Sequence, residues 1–153
     1  MLVVDDHESV RQLLRRMLDR AGFEVLEAAT SLDAHRCLRL LQPDALLLDL
    51  QRSAVDGLDM LQRLRARQTL QDVPIVFLAG CDDDDFRQQA LRAGADWLGV
   101  RPLAMLQLQT QLANLIRHGR RSIRLADDDV GQLAWHHDDP LYRAGSQVRL
   151  NAG

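Results

Sequence analysis

The sequence predicts an α/β fold: one parallel sheet of five strands, covered by helices on both faces and doubly wound in the order 2-1-3-4-5. Three observations carry this expectation. Short apolar runs alternate five times with stretches of helical periodicity. Two of the runs, Leu2-Val3-Val4 and Leu46-Leu47-Leu48, are continuous rather than alternating, as strands buried on both faces require, and each is closed by aspartate. Residues 23–28 instead alternate apolar and polar positions, which suits a sheet edge. With that strand at the edge, the first and third lie side by side in the middle. Asp5, Asp6 and Asp49 then meet at the carboxyl edge where the winding reverses, the place where open α/β sheets bind ligands.

The first helix is expected over Glu8–Arg20, where Val10, Leu13, Leu14, Met17 and Leu18 share a face and Gly22 stops the chain. Its other face carries Arg11, Arg15, Arg16 and Arg20, read as a solvated basic stripe. Thr30-Ser31 can cap a second helix through Gln42, with Ala34, Cys37, Leu38 and Leu41 inward and Pro43 ending it. The central strand follows over residues 44–50. Asp56-Gly57 opens a third helix with Leu58, Leu61 and Leu64 on its buried stripe to about Arg67. Pro74 is admissible at the first position of the fourth strand, residues 74–78. Asp82, Asp83, Asp84 and Asp85 precede a fourth helix to about Ala93, where acids suit the helix dipole, and Gly94 ends it. Residues 97–100 form the fifth strand, Arg101-Pro102 a turn, and Met105, Leu108, Leu112 and Leu115 mark a last helix to about His118.

At 153 residues the chain is long enough for one well-buried domain and a short appendage. A formal charge of -3 gives no global basic field, so direct nucleic-acid binding is not implied. All 19 basic residues are Arg. Cys37 and Cys81 have neither metal-ligand spacing nor a disulfide framework, as expected of small buried thiols in a reducing compartment. No apolar run has the length of a membrane span and the start lacks a signal-peptide pattern, so the expected location is cytoplasmic. Within the domain, three carboxylates converging at one edge repel one another and call for a small hard cation. His7, directly after the acid pair, is read as a solvent-facing loop residue, and His136-His137-Asp138-Asp139 as no metal site because neighbouring strand residues face opposite ways.

Taken in order, Leu2-Val3-Val4-Asp5-Asp6, Leu46-Leu47-Leu48-Asp49, Asp56-Gly57-Leu58, Pro74-Ile75-Val76, Ala93-Gly94-Ala95-Asp96 and Arg101-Pro102 make residues 1–118 resemble the receiver domain of two-component response regulators, a CheY-like, flavodoxin-like fold. The resemblance implies that Asp49 accepts a phosphoryl group from a sensor histidine kinase or a histidine phosphotransfer protein. It also implies that Asp6, Asp49 and the backbone carbonyl of Gln51 bind Mg2+ or Mn2+ directly, with Asp5 helping through water. Such a domain is a signalling switch that assists its own phosphorylation and dephosphorylation, and does not turn over a metabolite. A flavodoxin-like redox protein shares the fold, but Asp5-Asp6-His7-Glu8 would repel the phosphate of its cofactor.

Several positions depart from the family. Ala79 stands where a hydroxyl residue is usual after the fourth strand, and Leu98 replaces the aromatic switch residue of the fifth. Arg101 replaces Lys, keeping a permanent cation in a planar, larger shape, and Ser53 replaces the usual Pro. These changes leave the acidic pocket intact and remove parts that transmit phosphorylation. They favour an alternative, a degenerate receiver acting as a phosphorylation-independent interaction module. The receiver is expected over residues 1–121. Residues 122–153 read as three short strands among turn-rich segments, a β-rich linker or the truncated start of an output domain.

Overall fold

The computed structural model describes residues 1–49, 54–80 and 83–118. Five strands, β1 (Leu2–Asp5), β2 (Leu26–Ala28), β3 (Leu46–Asp49), β4 (Ile75–Ala79) and β5 (Trp97–Val100), form one sheet. All neighbours are parallel and the order is β2-β1-β3-β4-β5, as the sequence predicts. The crossovers are α1 (Glu8–Arg20), α2 (Ser31–Leu40), α3 (Ala54–Arg65) and α4 (Asp84–Ala93), and α5 (Met105–His118) follows β5. A single 3-10 turn, Gln68–Leu70, joins α3 to β4.

Because alternate strand residues face opposite ways, the sheet divides the core in two. Leu2, Val4, Leu46, Leu48, Ile75 and Phe77 pack with α2, α3 and α4 through Ala34, Leu61, Leu64 and Ala90. Val3, Leu47, Val76, Leu78 and Trp97 pack with α1 and α5 through Leu14, Leu18, Leu108 and Leu112. Each central strand is therefore wholly buried, which is why its sequence is continuously apolar.

Some boundaries move for local reasons. The β2 ladder begins at Leu26, paired with Leu2, rather than at Phe23. Phe23 donates its backbone N–H to the Leu18 carbonyl and closes the turn after α1, where Gly22 takes φ 88°. The second helix stops at Leu40 instead of Gln42, with Leu41 extended ahead of Pro43. Leu41 is accordingly 52% exposed, and Leu13 on α1 is 56% exposed, where both were expected inward. The third helix starts at Ala54, before Asp56-Gly57, and stops at Arg65. The basic stripe of α1 is not wholly solvated: Arg11 and Arg15 reach Glu27 of β2 at 3.5 and 2.6 Å. Asp83 caps α4 by accepting from the Asp85 and Phe86 backbone N–H groups, and Asp84 and Asp85 lie in its first turn. Among the described residues no helix is long and apolar enough to cross a membrane.

Candidate functional site

The parallel register sets the site. Asp5 ends β1, Asp49 ends β3, and the two are ladder partners. Both are fully buried, the two charged residues among the described ones to be so. By strand alternation they share the parity of Val3 and Leu47, and so project toward the same side of the sheet. Asp6 follows in the bend before α1, with a side chain 15% exposed.

Local hydrogen bonds hold this edge. The His7 backbone N–H donates to Asp5 Oδ1 at 2.7 Å, and Arg11 Nη1 donates to the Asp5 carbonyl at 2.8 Å. The His7 ring meets the acids: its Nδ1 lies 3.0 Å from Asp6 Oδ1 and 3.8 Å from Asp5 Oδ1. On the far side, the Arg101 backbone N–H donates to the Ala79 carbonyl at 3.1 Å, which anchors the residue to the end of β4. Its Nη2 stands against Asp49 Oδ2, and the Arg101-Pro102 peptide is cis. A cleft lined by Asp6, His7, Glu8, Ser9 and Gln12 opens beside the acids.

Burial pushes the Asp5 carboxyl above its ordinary range, and the charge of Asp6 adds to this; the His7 N–H, Arg101 and the His7 ring pull the other way. Asp5 Oδ2 and Asp49 Oδ1 are buried without a hydrogen-bond partner among the described residues. A buried carboxylate oxygen left in that condition is costly unless a cation or a donor meets it. The residues present thus fit a hard divalent cation. Donor atoms of Asp5, Asp6 and His7 lie within 4.8 Å of one another. Asp49 is not in that group; its carboxylate faces Arg101.

The structure therefore brings together Asp5 and Asp6 as one cluster and Asp49 with Arg101 beside it. Gln51, Ser53 and Asp82 fall outside the described residues, as do Cys81 and His136-His137-Asp138-Asp139. Asp83, Asp84 and Asp85 are exposed, so these three do not line the pocket. Ala79 and Leu98 are buried in the apolar cluster around Phe77, with Leu98 the ladder partner of Phe77. His7 is an exposed loop residue, as the sequence predicts, and its ring also meets Asp6. Its place directly after the acid pair, at the N-cap of α1, was the available signal for that contact.

Residues 1–113 match the family model described as the response regulator receiver domain. The phosphate regulon transcriptional regulatory protein PhoB of Pseudomonas aeruginosa is 30% identical over 133 residues, covering 87% of this chain and 58% of that protein. Response regulator MprA of Mycobacterium ulcerans is 36% identical over 130 residues, covering 85% of this chain and 53% of MprA. The chain thus spans about half the length of these curated relatives. Among solved structures, chemotaxis protein CheY4 of Vibrio cholerae superposes with a TM-score of 0.68 at 26% identity, covering 74% of this chain and 94% of CheY4. The receiver domain of sensor histidine kinase PA1611 from Pseudomonas aeruginosa, with a magnesium ion coordinated in its active site cleft, gives 0.67 at 27% identity, covering 75% and 94%.

Proposed function

The chain belongs to the response regulator receiver family, and from that premise we propose that Asp49 is its phosphoacceptor. The single observation that carries this assignment is the placement of Asp49: fully buried at the carboxyl end of β3, in register with Asp5 and facing Arg101. In the transfer, a carboxylate oxygen of Asp49 attacks the phosphorus of a phosphohistidine. The P–N bond breaks, an acyl phosphate forms, and the imidazole nitrogen leaves with the electron pair and takes up a proton. The donor is a sensor histidine kinase or a histidine phosphotransfer protein.

Asp5, Asp6 and Asp49, with the Gln51 carbonyl, would hold Mg2+ or Mn2+. A cation held there would supply positive charge that offsets the carboxylates and the incoming phosphoryl group. The magnesium in the PA1611 receiver supports that assignment. Arg101 supplies a permanent positive charge beside the acceptor oxygen, and burial of Asp49 excludes bulk water from the acyl phosphate.

The receiver extends over residues 1–121 on this proposal, and residues 122–153 form a linker or the start of an output domain, in line with the greater length of PhoB and MprA. The protein works in the cytoplasm, where its phosphodonor is found. A second reading, phosphorylation-independent binding, is favoured by Ala79 and Leu98, which provide neither hydroxyl nor ring at the edge of the site. The deciding experiment is intact mass after incubation with a small acyl phosphate and Mg2+. The wild type should gain one phosphoryl group and Asp49→Asn none. A wild type that gains none, under conditions in which it binds Mg2+, would overturn the phosphoacceptor assignment.

A further inference from the structure

We infer that His7 contributes Nδ1 as a ligand of the cation site, making it a mixed nitrogen and oxygen site tuned toward divalent transition metals such as Co2+ and Ni2+ as well as Mg2+. The inference rests on the proposed cation site and concerns what that site selects.

Geometry comes first. Two donors occupying neighbouring corners of an octahedron at about 2.1 Å from the metal lie about 3 Å apart. The separation between His7 Nδ1 and Asp6 Oδ1 is 3.0 Å. Asp5 Oδ1 lies 3.8 Å from the same nitrogen, a distance that closes to a shared ligand sphere by small side-chain rotations. The His7 backbone N–H donates to Asp5 Oδ1 at 2.7 Å, which holds the main chain of His7 beside the acids. An independent observation points to a cation at this spot: the Asp5 side chain is fully buried and its Oδ2 has no hydrogen-bond partner among the described residues.

Chemistry gives the selectivity. Mg2+ keeps several waters and takes oxygen ligands, so an imidazole adds little to its affinity. Co2+, Ni2+ and Zn2+ accept imidazole readily, so an added donor of this kind strengthens them selectively. The other face of the His7 ring stays accessible, its side chain being 47% exposed and lining the cleft with Glu8, Ser9 and Gln12. Water ligands and a phosphodonor can therefore still reach a metal held there.

Any site of nitrogen and oxygen donors favours Co2+ and Ni2+ over Mg2+ to some degree, so the contrast between variants carries the test. Calorimetric titration of the full chain with Mg2+ and with Co2+ should show His7→Asn weakening Co2+ by roughly tenfold or more while Mg2+ changes by about twofold or less. Metal sites elsewhere in the chain cancel in that difference. The visible absorption of bound Co2+ should also shift in His7→Asn, reporting a changed ligand set without reference to phosphorylation. Equal loss of both cations, or unchanged Co2+ affinity and spectrum, overturns the inference and leaves His7 as an ion-pair partner of Asp6. Failure of Mg2+ to bind the wild type, or Mg2+ binding indifferent to Asp6→Asn, overturns the underlying cation site as well.

Discussion

Arg65, at the C-terminal end of α3, should be among the most costly residues to replace. Its Nε donates to the Gly94 carbonyl at 2.7 Å, its Nη1 to the carbonyls of Leu70 and Val73 at 2.8 and 2.7 Å, and its Nη2 to Asp96 Oδ2 at 2.5 Å. Asp96 Oδ2 also accepts the Ile75 backbone N–H at 2.7 Å, at the start of β4. With side chains 10% and 4% exposed, the pair joins α3, the approach to β4 and the turn between α4 and β5 in a largely dry setting. Arg65→Met keeps most of the apolar stem and removes the guanidinium, leaving a buried carboxylate and three carbonyls short of a donor. Removing one partner of a buried pair costs about 3–5 kcal/mol, a large share of a total of about 5–15. The melting temperature should fall by about 10–20 °C. Urea denaturation followed by circular dichroism, with a double-mutant cycle against Asp96→Asn, measures both the loss and the coupling. A loss under about 1 kcal/mol, or strict additivity in the cycle, would refute the reasoning.

Other consequences are narrower. Gly94→Ala should destabilise the same junction, because Gly94 has φ +109° and a Cβ would stand 2.5 Å from Arg65 Cγ; a loss of at least about 1–2 kcal/mol is expected in the same denaturation assay. Asp5→Asn should raise the melting temperature of chelator-treated protein, since the carboxyl is raised by burial; the folded state then binds the proton more tightly than the unfolded, so the advantage is full above the raised value, shrinks as pH falls through it and is gone below the ordinary 3.8. Asp49→Asn should gain less, because it removes the carboxylate charge that faces Arg101. His35 is held below its ordinary 6.5 by burial, then by Arg67 and Arg63, so its contribution is complete above 6.5 and is lost as pH falls through the depressed value; His35→Gln should flatten that acid limb in a series of thermal melts. Ala79→Thr should enlarge the chemical-shift response of α4 and β5 to beryllofluoride, the restored hydroxyl making a charged hydrogen bond of ~1.5–3 kcal/mol; an unchanged response counts against the uncoupled switch.

The strand order was legible because burial on both faces writes itself into sequence: Leu2-Val3-Val4 and Leu46-Leu47-Leu48 could not alternate, and the stretch before Ala28 could. From that order the meeting of Asp5 with Asp49 followed directly. What escaped was long-range or depended on side-chain direction. Periodicity put Leu13 and Leu41 on inner faces, yet helix rotation and an early stop expose both. Nothing in the sequence singles out Arg65, whose guanidinium meets Asp96, 31 residues away. His7 was legible as an exposed loop residue, but the contact of its ring with Asp6 depends on a side-chain direction that the sequence does not carry.

The division of the core also bears on how the proposed phosphorylation would be felt. Asp5 and Asp49 share the strand parity of Val3 and Leu47, on the side packed by α1 and α5, whereas Ala79 and Leu98 belong to the cluster packed by α3 and α4. An added phosphoryl group brings Asp49 to nearly two negative charges, but a methyl at Ala79 and an aliphatic chain at Leu98 interact with that charge almost equally in any conformation, and so transmit little. Arg101 is differently placed. Its guanidinium meets Asp49 and its backbone N–H is bonded to the Ala79 carbonyl, so one residue spans the acid and the end of β4. A guanidinium is planar and forked, so a tetrahedral phosphoryl group asks it for a different alignment than a carboxylate does. On the proposed assignment, the response to phosphorylation is therefore concentrated at Arg101 and the β4–β5 edge it joins, and it fades toward α4, where the relay side chains are missing.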